Sequence, residues 1–396
     1  MTRRRQVAVL VAVGMLASGW AHAQSLTATQ ILQQFNAVVF GNFSDGSDVQ
    51  GRTVIGGNLT SGTSFYGTPG TEAASTLAGL SVYGAITDTY SLTLESGSGV
   101  TVGGLNDATL SLNGGGSVYV GAANSGAITV TGGSADTIGI NGNNSALITD
   151  NSGGTIKING KSGSINGNGT STTTVVLPNS GDKNGTIQSA TVQYGTVSLP
   201  SPLPSFSSNF TTPLTNLSTQ LQGLTANSTV TASGGTATFN AAPNSSGQAI
   251  FSISSSVLTA NTSIVFNTNG ATTIIVDVTC GSANCSITLP SATHFTNDTT
   301  YAADTLWNFY NAGTLNFGSE FGGSVLAPDA TVTNSSPIDG DLIANAFTGS
   351  AELHNYPFTG NLNFAVPEPA GIALLGVGLV GLTIIRRRRS RPQPEA

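Results

Sequence analysis

Charge is what this chain has least of. Only 8% of its 396 residues are Asp, Glu, Lys or Arg, against 38% hydrophobic residues and 51 glycines. A helical bundle needs long charged side chains on its solvent faces, and an acidic disordered tail needs a dense run of one charge, so both are excluded and a β-rich chain remains. The few cations are also partitioned. Arg3, Arg4 and Arg5 stand at the start and Arg386, Arg387, Arg388, Arg389 and Arg391 at the end, leaving only Arg52, Lys157, Lys161 and Lys183 between them. That middle region holds every acidic residue except Glu368 and Glu395, and its negative balance argues against nucleic acid or an anionic membrane surface as a partner. Cations, neutral glycans and proteins stay open as partners.

Reactive side chains are equally sparse. Outside the first 23 residues the histidines are His294 and His354, and neither stands in the spacing of a nucleophile elbow or a zinc site, so each reads as a surface or packing residue. Gly-rich pieces such as Asn113-Gly114-Gly115-Gly116 lack the Lys and the following helix of a phosphate loop and read as turns. The acidic residues are scattered along the sequence, whereas a polysaccharide-active solenoid enzyme needs them clustered on one face; no enzyme is expected. Two pairs on Gly-containing turns, Asp45 with Asp48 and Asp339 with Asp341, could gather oxygen ligands around calcium, the one cofactor in view; otherwise they are solvated turn carboxylates. Cys280 and Cys285 bracket a four-residue turn, for which a local disulfide is the default in an exported chain.

Export is written at both ends. Arg3-Arg4-Arg5, an apolar segment over 7–17 and Ala21-His22-Ala23 form the three regions of a secretory signal, predicting a signal peptide over 1–23. Near the other end, Val366-Pro367-Glu368-Pro369 precedes an apolar run over 370–385 and then Arg386, Arg387, Arg388 and Arg389. At about 1.5 Å per residue that run reaches about 24 Å as a helix, a little short of a bilayer core, with snorkelling arginines making up the length. These three parts, in this order, resemble the PEP-CTERM sorting signal (366–391). The resemblance implies recognition by an exosortase-type processing enzyme of Gram-negative bacteria, removal of the helix, and passage from the inner membrane to the cell surface or extracellular matrix. A single-pass anchor that is never cut is the alternative.

Between these signals, 24–365 reads as one β-rich ectodomain with a Gly/Ser/Thr-rich region over 62–190. Apolar residues over 28–39 (Ile31, Leu32, Phe35, Val38 and Val39) have helical spacing. They lead into Asp48-Val49-Gln50-Gly51-Arg52-Thr53-Val54-Ile55-Gly56-Gly57-Asn58, and far downstream come Gly323-Ser324-Val325-Leu326-Ala327-Pro328, Ile338-Asp339-Gly340-Asp341-Leu342-Ile343 and Glu352-Leu353-His354. Together these resemble the choice-of-anchor A domain, a bacterial surface module. The apolar pairs Val325-Leu326 and Leu342-Ile343 recur 17 residues apart, and from Leu92 to Ile158 short alternating segments recur less regularly. Short strands with tight Gly or Asn corners build a right-handed β-solenoid (β-helix); an antiparallel sandwich is the rival reading. After the prolines at 200, 202 and 204, Phe206, Phe210, Leu214, Leu217, Leu221 and Leu224 form one apolar stripe, predicting a helix over 205–224 along the solenoid flank, or else a linker.

The expected function is that of an exported, non-enzymatic surface or matrix protein. Its partners would be the export machinery, the exosortase-type enzyme, and extracellular polysaccharide or surface proteins. An ice-binding-like solenoid is the alternative, because Ser and Thr rows on a flat face can order water; a polysaccharide-active solenoid enzyme ranks below it.

Overall fold

The computed structural model describes residues 26–364, except 63, 64, 69, 71, 88, 134, 135 and 168–172. The signal peptide and the membrane helix expected over 1–23 and 370–385 lie outside the described residues, among which no helix is long and apolar enough to cross a membrane. The chain divides into Met1–Gly360 and Asn361–Ala396, and the fold below is that of the first unit.

The protein is mainly β, built from short parallel strands stacked into coils. One face runs through Val100–Val102, Val118–Val120, Thr137–Ile140, Thr155–Ile158 and Thr173–Leu177, each in register with the next. A second face stacks Ser91–Leu94, Thr109–Leu112, Ile128–Val130, Ile148–Asp150 and Ile165–Gly167 in the same way. The irregular spacing of apolar segments is thereby explained, since successive strands alternate between the two faces. The one antiparallel pairing among the described residues joins Thr229–Ser233 to Thr236–Asn240, so the sandwich reading falls. Strand alternation sends Val100, Val102, Val118, Val120, Ile138 and Ile140 inward from one face to meet Leu110, Leu112, Ile128, Val130 and Ile148 from the other, all fully or almost fully buried.

On a third side single parallel bridges continue from Leu59 through Ile86 into a column of buried asparagines. Asn106 Nδ2 donates to Asn124 Oδ1 and Asn124 Nδ2 to Asn144 Oδ1, both at 2.7 Å. Each second amide hydrogen goes to the carbonyl two residues on, at Ala108, Gly126 and Ala146. A buried amide N–H needs an acceptor, and stacking one coil on the next supplies it for Asn106 and Asn124.

Coil order differs from chain order. Ala37–Val39 pairs on one edge with Thr53–Ile55 and on the other with Leu342–Gly349, so the first coil is sandwiched between the second and the last. From there one run of coils extends to Ala190–Tyr194. The other run starts at Gln248–Ser254 and comes back through Thr273–Thr279, Thr305–Asn308 and Ser324–Asn334 to close on Ala37–Val39. The expected helix over 28–39 stops early for this reason. Helix α1 is Ala28–Gln34, capped by Thr27, and Val38 and Val39 are strand residues held on both edges. Asn36 makes the switch, with Nδ2 donating to the carbonyls of Gly340 and His354 while its Oδ1 accepts from the Gly51 amide.

A strap connects the two runs. Leu199 lies over Gly139 and Phe206 over Gly56, where a Cβ on either glycine would come within 2.8 Å and 2.7 Å of the strap side chain. Phe206 packs edge-on against Tyr83 with ring centres 4.9 Å apart, and Phe210 against Phe35 at 5.5 Å. A π-helical turn, Ser207–Thr211, leads into helix α2, Thr212–Gln222, which buries Leu214, Leu217 and Leu221. Ser218 Oγ donates to Asn308 Oδ1 at 2.6 Å, and the amides of Asn227 and Ser228 reach the Ile250 carbonyl at the far end. Each buried apolar side chain of the strap stabilises by roughly 2 kcal/mol.

Phe210→Ala is expected to cost about 3–5 kcal/mol of unfolding free energy, read by urea denaturation, because it empties a fully enclosed site under the strap. Asn124→Leu should cost about 1–3 kcal/mol, since it strands the Asn144 Oδ1 and one Asn106 amide hydrogen. An unchanged denaturation midpoint for either variant would contradict the role given to it.

Candidate functional site

The strap lies over the first face, where Ser81 is 0% and Thr101 6% exposed and Tyr119 and Lys157 are half-buried. The second face is open. Its central outward file runs Phe65, Thr93, Ser111, Thr129, Thr149, Asn166 and Gln188, one residue per coil. At about 4.8 Å per coil, Thr93 to Gln188 spans about 24 Å. A flanking file passes through Glu95, Asn113, Thr131 and Asn151, joined in pairs by the hydrogen bonds Asn113 to Glu95 at 2.8 Å and Asn151 to Thr131 at 3.4 Å. Exposed aromatic rings, Phe65 at 51% and Tyr90 at 59%, mark one end of this plane. It is an open sheet surface with hydroxyl, amide and few ionised groups.

Beyond Phe65 the same face changes character. Backbone bonds from Val49 to Phe65, Leu353 to Asp48, Ile338 to Glu352 and Phe321 to Pro337 carry it through Asp48 and Glu352 to Glu320. Here Asp298, Glu320 and Asp339 bring carboxylate oxygens within 4.8 Å of one another, a set that could hold a metal ion. His354 bridges Asp339, through Nδ1, and Glu352, through Nε2 at 2.8 Å. The bond to Asp339 holds His354 up to about 8, with burial opposing and Glu352 adding. Asp298 and Glu320 are pushed up by burial first and then by neighbouring carboxylates. The acidic residues read as scattered thus converge in part, and His354 is an ionic partner of two carboxylates. Residues 298, 320, 339 and 352 are far apart in the chain and meet only because coils stack, so no local motif marked them.

The four aspartates that could bind calcium or else stand as solvated turn carboxylates fare differently. Asp45 is fully buried, not solvated, and burial pushes it up to about 8, leaving it largely protonated at neutral pH. Asp48 lies on the open face, with its carboxylate 3.4 Å from the Phe65 amide. Asp339 and Asp341 have separate partners. Asp341 is enclosed, accepting from the Ser324 hydroxyl and the Phe358 amide, and burial raises it well above the usual carboxylate range. Cys280 and Cys285 are disulfide-bonded with Cα atoms 6.4 Å apart. Val366, Pro367, Glu368, Pro369, Arg386, Arg387, Arg388 and Arg389 lie outside the described residues.

Of the four cations in the middle region, Arg52 is spent inside the fold. It is 5% exposed, pairs with Glu72 at 3.2 Å and donates to the carbonyls of Leu77 and Ala73. Lys157 lines a groove of roughly 480 Å³ between the first face and strap residues Leu199, Pro200 and Pro202.

The fold is thus a parallel-stacked β protein with one broad polar plane left open. The chain belongs to the family of ice-binding-like adhesive domains, which it matches over residues 28–138 and 100–355. Residues 365–389 match the PEP-CTERM protein-sorting motif. It is accordingly an exported surface protein of the adhesive, non-enzymatic kind. No curated protein matches the chain. Among solved structures, an ice binding protein from an Antarctic bacterium of the Flavobacteriaceae is similar at 12% identity over 85% of this chain and 100% of that one, with a TM-score of 0.24, a likeness on which nothing further rests.

The ionisable groups set the pH response. A histidine raised to about 8 contributes stability in full below its ordinary 6.5, and this is lost as pH rises through about 8. Asp45, also raised, acts in the same direction between 3.8 and about 8. The melting temperature is therefore expected to fall steadily from mildly acidic to mildly alkaline pH. His354→Gln should flatten that fall between 6.5 and 8, and an unaltered profile in calorimetry would refute the His354 assignment.

Proposed function

We propose that this protein is an adhesin of the cell surface or extracellular matrix that binds uncharged, hydroxyl-rich polysaccharide through the plane from Thr93 to Gln188. The observation that carries this reading is that the strap lies over one face while the opposite face stays open and turns Thr, Ser, Asn and Gln outward. Neutral hydroxyls and amides hydrogen-bond sugars without electrostatic help, and Phe65 and Tyr90 offer rings on which a pyranose can stack. A second reading, ordering of water at ice, uses the same plane. It is favoured by the regular repeat of one hydroxyl or amide per coil and by the family's description.

Delivery follows the terminal signals in this proposal. A signal peptide over 1–23 directs export, and a helix over 370–385 holds the ectodomain, 24–365, at the inner membrane. An exosortase-type enzyme then recognises Val366-Pro367-Glu368-Pro369 and the arginines from Arg386 to Arg389 and releases the ectodomain outward. The ectodomain would be a choice-of-anchor A-like module. Its solenoid would be right-handed, as parallel crossovers almost always are.

In affinity electrophoresis through gels containing neutral polysaccharide, the protein should be retarded, and Thr129→Glu with Thr149→Glu should weaken retention by about ten-fold through loss of surface complementarity. Equal mobility with and without polysaccharide would sink the glycan reading. Thermal hysteresis above that of a control protein, abolished by the same pair, would establish the ice reading in its place. For delivery, Pro367→Ala with Pro369→Ala should leave the protein membrane-bound and uncut; identical fractionation of wild type and variant would show that the tail is not a sorting signal.

A further inference from the structure

We propose that two copies of this protein join end to end, the last coil of one against the last coil of the other, with their Ala190–Tyr194 strands paired antiparallel. The two ends of the coil stack are finished differently. At one end, Thr229–Ser233 runs antiparallel to its neighbour, and the Asn227 and Ser228 amides reach the Ile250 carbonyl, so the parallel stack is interrupted there. At the other end, Ala190–Tyr194 pairs over five residues with Thr173–Leu177, and among the described residues nothing pairs with its outer edge. Ile187–Gln188, on the second face of the same coil, likewise pairs only inward.

The core also runs out there. Val192 and Ile187 continue the inward files of Val175 and Ile165, which are fully buried, yet both are only half-buried, since no further coil among the described residues covers them. Tyr194 follows Leu177 in its file and is 50% exposed. Stacked repeats ordinarily end in a polar cap, and bare strand edges are ordinarily guarded by Lys or Pro; the strand Ala-Thr-Val-Gln-Tyr has neither.

A second copy is the occupant that fits. The open edge is self-complementary, since an antiparallel two-fold about Val192 sets Thr191 opposite the other copy's Gln193 and merges the two cores. Charge points the same way. Most of the ectodomain is acidic and repels itself, but between residues 162 and 195 the charged residues are one acid and one base, Asp182 and Lys183, so this end can approach its like. One coil a side falls short of the roughly 20–30 residues a side of a standard interface. Association is therefore weak when dilute and strengthens where copies are concentrated on a surface.

The test uses the full chain in mild detergent. Its mass by sedimentation should rise from one copy towards two as concentration increases. Thr191→Cys with Gln193→Cys should oxidise to a covalent dimer, whereas Thr129→Cys with Thr149→Cys on the open face should not. Val192→Lys, and separately the solvent-exposed change Gln193→Lys, should weaken association by about ten-fold through like-charge contact while leaving the melting transition of the latter unchanged. A single-copy mass at every concentration together with no covalent dimer overturns the proposal, and so does a dimer indifferent to both lysine variants. Failure here leaves the polysaccharide reading untouched, because the two surfaces share no residue that either test alters.

Discussion

Backbone pairing on both edges of Ala37–Val39 is the contact on which the rest of this structure depends. That strand is the first in sequence among the described residues, yet it sits inside the stack, and it can be satisfied only when Leu342–Gly349 arrives more than 300 residues later. Two runs of coils must therefore grow away from and back to one strand, and something must carry the chain from the end of the first run to the start of the second. The strap over 195–228 does so, and its length is set by the length of the solenoid it has to retrace. Closing such a long-range pair is entropically costly, and the aromatic contacts of Phe206 and Phe210 with Phe40, Tyr83 and Phe35 offset part of that cost along the way.

The same arrangement decides which surface can work. The two sheets already differ in their outward residues, with Thr93, Ser111, Thr129 and Thr149 on one against Ser81, Thr101, Tyr119, Gly139 and Lys157 on the other. The strap then separates them further. By burying Ser81 and Thr101 and seating Leu199 against Gly139, it leaves the sheet from Thr93 to Gln188 as the broad open plane. Shortage of charge then becomes a property of a binding surface, since the cation nearest the first coils, Arg52, is locked against Glu72 inside the fold. Acidity is gathered farther along the same face, where His354 holds Asp339 and Glu352 together.

Much of this was legible from residues alone. Alternation in Leu110-Ser111-Leu112 and Ile128-Thr129-Val130 marks strands, and the stripe of Phe210, Leu214, Leu217 and Leu221 marks the flanking helix, because both patterns record burial at the period of the local backbone. The 17-residue recurrence of Val325 and Leu342 records one coil. Other features were misread. Val38 and Val39 suit a helical stripe as well as a strand, and only the edges of neighbouring coils decide between them. Asp45 and Asp341 sit on glycine turns like solvated carboxylates, yet both are enclosed, and nothing local announces that.

By itself, then, the sequence determined the class: charge-poor alternating segments that must stack, a chain addressed for export, and a tail built for sorting. Local periodicity and terminal motifs are properties of neighbouring residues, so they survive without a fold. The order of the coils, the choice of the open face, the column of Asn106, Asn124 and Asn144, and the meeting of Asp298, Glu320 and Asp339 were decided only by tertiary structure. Each joins residues from different coils, and which coils are neighbours follows from the pairing of Ala37–Val39 with strands from both halves of the chain.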